Sequence, residues 1–219
     1  MEKMYRRNLT TLNLKQRLFV KILHTTDLHF NKKWFEWIAQ QQNNFDVFCI
    51  SGDFLESSKE ETLLEQIKWI TTWIKKFQKP LFTCSGNHDI GELDNEDWLN
   101  KIDTSNYYAD NVIKKIDNVK FGCYPYIGAD GYFEFDECDI LITHVPPANT
   151  KTSINQDNDD WGDKELYNAI KNNIINPKIL LCGHMHRPIK TIDKLNNTTI
   201  YNPGADKYSD VPKHYKIEI

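Results

Sequence analysis

The sequence predicts an α/β protein with the layers of an α/β/β/α sandwich, two mixed β-sheets flanked by helices. Three observations carry that prediction. Five short apolar runs are bounded by turn formers, the pattern of buried strands. Segments with apolar residues at helical spacing follow the first two runs. From Tyr107 onward the pattern changes to closely spaced strands and turns, enough for a second sheet.

The first run, residues 19–23, leads into Asp27-Leu28-His29, and residues 33–43 then carry Trp34, Trp37 and Ile38 at helical spacing. The second run, residues 47–50, leads into Gly52-Asp53. Residues 59–77 read as a stronger helix, with Leu63, Leu64, Ile67, Ile70 and Ile74 on one stripe and Pro80 beyond its end. The third run, residues 81–84, leads into Gly86-Asn87-His88-Asp89, and residues 95–102 suggest a short helix. Residues 112–116, 120–124 and 132–135 read as strands separated by turns. Residues 140–142 lead to His144, residues 164–174 read as a last helix, and residues 179–182 lead to Gly183-His184-Met185-His186. Residues 198–201 and 214–219 close the second half as strands. Trp34, Trp37, Trp69 and Trp73 belong to the core on this reading, and His24 and His214 are ordinary strand and terminal residues.

A chain of 219 residues can form one substantial core, and neither a linker nor a repeat divides it, so residues 1–219 read as one domain. With 27 Lys and Arg against 31 Asp and Glu, the net charge of −4 leaves no basic footprint for stable nucleic-acid binding. Residues 3–17 are mildly basic, but no apolar stretch of signal-peptide length follows them. No run approaches the roughly 18 apolar residues of a membrane span. The five cysteines are scattered and form no CxxC pair, which argues against a thiolate metal site or a disulfide framework. A cytoplasmic protein is expected.

Each apolar run ends near a group that can bind a cation. In open α/β sheets, ligands collect beyond the carboxyl ends of the strands. Asp27, His29, Asp53, Asn87, His144, His184 and His186 should therefore meet at one rim, and seven groups exceed what one cation needs. Hard oxygens and imidazoles without thiolate suit manganese, iron, zinc or nickel. One Gly-Asp pair alone would be ordinary turn chemistry. Five blocks placed after five strands point to a two-metal site.

The ordered series Asp27-x-His29, Gly52-Asp53, Gly86-Asn87-His88-Asp89, His144 and Gly183-His184-x-His186 resembles the calcineurin-like metallophosphoesterases. Pro146-Pro147 and Asn202-Pro203-Gly204 agree with that resemblance. The stretch from Gly162 to Leu166 is similar to the short cyclic-nucleotide-phosphodiesterase-like branch. The resemblance implies the sandwich fold, hydrolysis of phosphoric esters and two divalent ions, manganese first among them. It implies that Asp27, His29 and His186 hold one ion and Asn87, His144 and His184 the other, with Asp53 between. Two cations about 3.5–4 Å apart clamp both oxygens of an in-line displacement and supply hydroxide near neutral pH. By the same resemblance His88 protonates the leaving oxygen or stabilises charge there. Its orienting partner should stand three residues after Asp53, where this chain has Glu56 and the family more usually has Asp. Asp89 is the competing orienter. Arg187, beside His186, is a candidate for contacting a substrate phosphate.

Protein phosphatases of the superfamily continue the second block as Gly-Asp-x-x-Asp-Arg-Gly. Here it reads Gly52-Asp53-Phe54-Leu55-Glu56-Ser57-Ser58, without that Arg. Nucleases of the superfamily usually carry added capping segments, and only 33 residues follow His186. A small phosphodiester or phosphomonoester is therefore expected as substrate, with cyclic nucleotides leading. An acidic loop at residues 157–160 would repel a long polyanion if it lines the site. A nuclease acting with a partner subunit and a non-catalytic scaffold are the alternatives. Scaffold relatives tend to lose the His of the Asn-His pair, which this chain keeps as His88.

Overall fold

The computed structural model describes residues 19–90, 97–128 and 130–219. The basic stretch at residues 3–17 and the first residues of the helix expected over 95–102 lie outside them. Eleven strands form two sheets among the described residues. In the first, β1 (Lys21–Thr25), β2 (Val47–Ser51), β3 (Leu81–Cys84) and β4 (Tyr107–Tyr108) run parallel, and β11 (His214–Glu218) pairs antiparallel with β1. In the second, β6 (Val119–Cys123), β7 (Ile140–Ile142), β8 (Ile179–Leu181) and β10 (Thr198–Tyr201) are parallel, with β5 (Ile113–Ile116) and β9 (Ile192–Leu195) antiparallel at its edges.

Alternation along the strands builds the layers. Ile22, Cys49, Phe82, Phe121, Ile140 and Leu181 face inward and form the apolar filling between the sheets. Leu23, Phe48, Ile50 and Leu81 face the other way, onto α1 (Lys32–Gln40) and α2 (Leu63–Ile74). Leu141 and Leu180 pack against α3 (Lys164–Lys171) on the far side of the second sheet. Strands buried on both faces read as continuous apolar runs, which is why these are visible in the sequence. All five cysteines are free and buried in these layers. No described helix is long and apolar enough to cross a membrane.

Several expectations need correction. The second helix starts at Leu63, where Thr62 and Glu65 form a capping box that satisfies the first free N–H groups. Its buried stripe runs through Gln66, Ile70, Trp73 and Ile74, while Leu64 is exposed. Residues 132–135 form a 3₁₀ turn, because Tyr132 and Phe135, three apart, both reach the core over α3. The Tyr132 hydroxyl also bonds the carboxylate of Asp163, the N-cap of α3. The described part of residues 95–102 is a run of turns in which Ile102 N–H donates to Leu99. β9, with three polar or exposed residues in four, carries too little apolar signal to be expected.

His24 lies on β1 with its Nε2 2.9 Å from Ser51 Oγ and no described partner for Nδ1. Burial lowers its pKa to about 3, against a smaller opposing pull from the Asp27 carboxylate. The unfolded imidazole titrates near 6.5, so below that pH the unfolded chain binds the extra proton. Stability should therefore fall as pH drops from about 6.5 toward 3, by up to about 4 kcal/mol from this group. Chelator-treated His24→Gln should lose part of that slope in urea titrations. An unchanged slope would remove His24 as an acid-sensitive element.

Candidate metal centre

Asp27, Asp53, Asn87, His144 and His184 each follow a parallel strand by two or three residues, and both sheets deliver them to one rim. The loops are tied together before any ligand binds. Asp27, His29 and Phe30 N–H donate to the carbonyls of Gly52, Asp53 and Phe54, at 3.1, 3.0 and 2.8 Å. Gly183 N–H donates to the His144 carbonyl, and His184 N–H to Asp27 Oδ2 at 3.2 Å. Asp27, His29, Asp53 and His184 all have positive φ, between 43° and 64°. Such left-handed backbone in non-glycine residues persists only where surroundings enforce it, and it gathers at functional sites. A Cβ on Gly183 would collide with Thr26 Oγ1 and Asp27 Oδ2, so only glycine lets these two loops meet.

Two groups of donors face each other. In one, His29 Nε2 and His186 Nε2 lie 3.1 Å apart, with Asp27 Oδ1 3.2 Å from His186 Nε2 and 4.0 Å from His29 Nε2. In the other, Asn87 Oδ1 lies 3.0 Å from His144 Nε2 and 2.9 Å from His184 Nδ1. Asp53 stands between them, its Oδ2 3.9 Å from His29 Nε2 and its Oδ1 3.3 Å from His144 Nε2. His144 Nδ1 donates to the Ser51 carbonyl at 2.8 Å, which leaves Nε2 as the atom turned to the centre.

This donor set fits cations. Two ring nitrogens that each sit about 2.0–2.1 Å from one ion fall roughly 3.0–3.4 Å apart, which is the His29–His186 separation. Among the described residues Asp27 Oδ1 is buried without a hydrogen-bond partner, an acceptor that a cation would satisfy. Burial raises the Asp53 pKa, but the adjacent His144 ring outweighs it and holds the carboxylate ionised. Burial lowers the His144 pKa, and Asp53 more than reverses this, to about 9. Without a cation, a proton on His144 does part of the work that metal charge does with one.

The remaining expected residues fall in different places. His88 lines the cleft, its N–H donating to Asp53 Oδ1 at 2.9 Å and its ring edge-on to His29 with centroids 4.7 Å apart. Arg187 and the loop residue Asp157 line the same cleft, whose volume is about 800 Å³. Asp89 makes no hydrogen bond to the His88 ring among the described residues. Its carboxylate accepts N–H groups from Asp53, Phe54, Leu55 and Gly86 at 2.8–3.1 Å, so it anchors the backbone of two ligand loops. Glu56 makes no hydrogen bond to His88 among the described residues, and instead its Oε2 sits 3.5 Å from His29 Nδ1.

Two supporting residues were missed or only half seen. Asn202 is fully buried and its Nδ2 donates to the carbonyls of Thr152, Gly183 and Met185, pinning the His184 turn. The Asn-Pro-Gly triplet was the signal for it. Gln66 is fully buried and grips the backbone of Glu56, with no signal in the sequence.

The family model of the calcineurin-like phosphoesterases matches residues 20–188. The chain belongs to that family. It is accordingly a hydrolase of phosphate esters, in a family that works with a dinuclear metal centre. An uncharacterized protein of Methanocaldococcus jannaschii is 24% identical over 210 residues, covering 87% of this phosphoesterase and 90% of the relative. A 3′,5′-cyclic adenosine monophosphate phosphodiesterase of Haemophilus influenzae is 36% identical over 53 residues, which is 24% of this chain and 18% of that protein. Among solved structures, a protein of Thermus thermophilus superposes with a TM-score of 0.62 at 12% identity, covering 84% of this chain and 89% of that one. A purple acid phosphatase from yellow lupin seeds gives 0.53 at 15% identity, over 84% and 43%. Both show the shared sandwich.

Proposed function

We propose that this phosphoesterase hydrolyses a small phosphodiester or phosphomonoester at the cleft floor, with cyclic nucleotides as the leading candidates. The observation that carries this reading is the meeting of seven donor side chains at one rim, three of them (Asp27, His29 and His186) in the wall of a cleft of about 800 Å³, a volume suited to a small ligand. Asp27, His29 and His186 would hold one divalent ion and Asn87, His144 and His184 the other, with Asp53 serving both. Bound there, such ions would supply positive charge for the attacking and leaving oxygens and would lower the pKa of water toward neutral pH. Manganese is the metal proposed, on the hardness of the oxygen donors.

The protein's own residues then divide the work. The paired donors and their tied loops set the metal positions, and His88 is placed to give a proton to the leaving oxygen. Arg187 offers a guanidinium to a phosphate oxygen. Asp157 and Asp206 also line the cleft, alongside Lys59 and Lys207, so its wall is of mixed charge rather than the basic track a long polyanion needs. The partial match to the Haemophilus phosphodiesterase supports the cyclic-nucleotide preference. Five free cysteines are in keeping with a reducing, cytoplasmic setting.

Manganese-loaded protein should be assayed on nitrophenyl mono- and diesters, 3′,5′-cyclic nucleotides and single-stranded DNA. Turnover of small esters with DNA left intact is expected. Cleavage of DNA alone would favour the nuclease reading, and inertness toward every substrate the scaffold reading.

A further inference from the structure

We propose that Glu56 is a positioning residue for His29, fixing through Nδ1 the tautomer and ring angle that turn Nε2 toward the first cation position. This rests on the reading of the cleft as a metal centre and gives Glu56 a role other than the one expected from its place in the chain. His29 Nε2 faces His186 Nε2, Asp27 Oδ1 and Asp53 Oδ2. A ring that offers its Nε2 lone pair to a cation must carry its proton on Nδ1, and that N–H needs an acceptor. His29 Nδ1 is buried and has no hydrogen-bond partner among the described residues. The carboxylate beside it is Glu56, with Oε2 at 3.5 Å, about half an ångström beyond an ordinary N–H···O bond.

Glu56 is held for this task from three sides. Its Oε1 accepts Ser58 N–H at 3.0 Å. Its own N–H donates to Gln66 Oε1 at 3.0 Å, and its carbonyl accepts Gln66 Nε2 at 2.9 Å. Gln66 sits in the first turn of α2 and is also bonded to the Glu61 carbonyl, so the helix fixes the loop. A carboxylate fixed in this way loses little freedom on bonding an imidazole, and such partners govern both ring orientation and ligand basicity. His88 packs at right angles to the His29 ring, and Glu56 makes no hydrogen bond to His88 among the described residues.

The test is a calorimetric manganese titration of metal-free wild type, Glu56→Ala, Glu56→Gln, His29→Ala, His88→Ala and the Glu56→Ala doubles with each His variant. Glu56→Ala should weaken one of the two sites by about 10–100-fold and leave the other nearly unchanged. Glu56→Gln, which keeps the bulk and a neutral acceptor, should weaken the same site less, and it decides the matter if the Ala variant does not fold. The loss should vanish in the His29→Ala background and persist in the His88→Ala background, since only residues acting as a unit are non-additive. In nitrogen-15 spectra of metal-free protein, His29 should be the Nδ1–H tautomer in wild type and a mixture in Glu56→Ala. Two wild-type sites left unaffected by either Glu56 variant would overturn the proposal alone. Full additivity with His29→Ala, or disappearance of the effect in His88→Ala, would do the same. A wild type that binds no manganese would overturn the metal reading beneath it as well.

Discussion

Asp53→Ala is expected to empty both metal positions and to take ester hydrolysis down by on the order of 10³-fold or more, the several kcal/mol that bound cations supply. Asp53 faces both donor groups, with Oδ2 toward His29 and Oδ1 toward His144. Its removal also frees His88 N–H, which now donates to Oδ1. His29→Ala should instead reduce one position mainly, because Asn87, His144 and His184 stay in contact without it. Elemental analysis after gel filtration in manganese, alongside circular dichroism to confirm the fold, separates the two variants. If Asp53→Ala keeps a full complement of either ion, Asp53 does not serve both.

His88→Ala should leave metal content intact and lower kcat by about 10²–10⁴, the range for losing a positioned general acid. The His88 ring makes a T-shaped contact with His29, and its backbone N–H bonds Asp53. Its loss therefore removes a group from the cleft wall without removing a metal donor. The effect should be smallest on nitrophenyl esters, whose leaving group departs without a proton, and largest on alkyl esters. Equal losses on both would assign His88 to charge stabilisation, and unchanged turnover on all of them would remove it from the chemistry.

Much of the sandwich was legible because strands such as β2 and β8 are buried on both faces and read as unbroken apolar runs. The donor blocks were legible for a related reason: parallel strands deliver their ends to one rim whatever lies between them. Side-chain direction was not. Glu56 has the sequence position of a His88 partner, but Ser58 N–H and the Gln66 amide turn its carboxylate to His29. A glutamine inside a helix normally reads as solvent-facing, so Gln66 hid the error in the α2 stripe as well. Asp89 follows His88 directly and so has the sequence position of a catalytic neighbour. Its four backbone bonds come from loops 30 or more residues away in sequence as well as from Gly86 nearby, and no local pattern announces those. The 3₁₀ turn at Tyr132–Phe135 failed for a simpler reason, since four residues of aromatic and acidic character fit either period.

Titrating manganese into metal-free protein while following hydrolysis of bis(p-nitrophenyl) phosphate asks most directly whether this cleft is a dinuclear phosphoesterase centre. Two equivalents should bind per chain, with hydrolysis rising mainly as the second is taken up. Saturation at a single equivalent, or two bound ions with no phosphate ester hydrolysed, would contradict it.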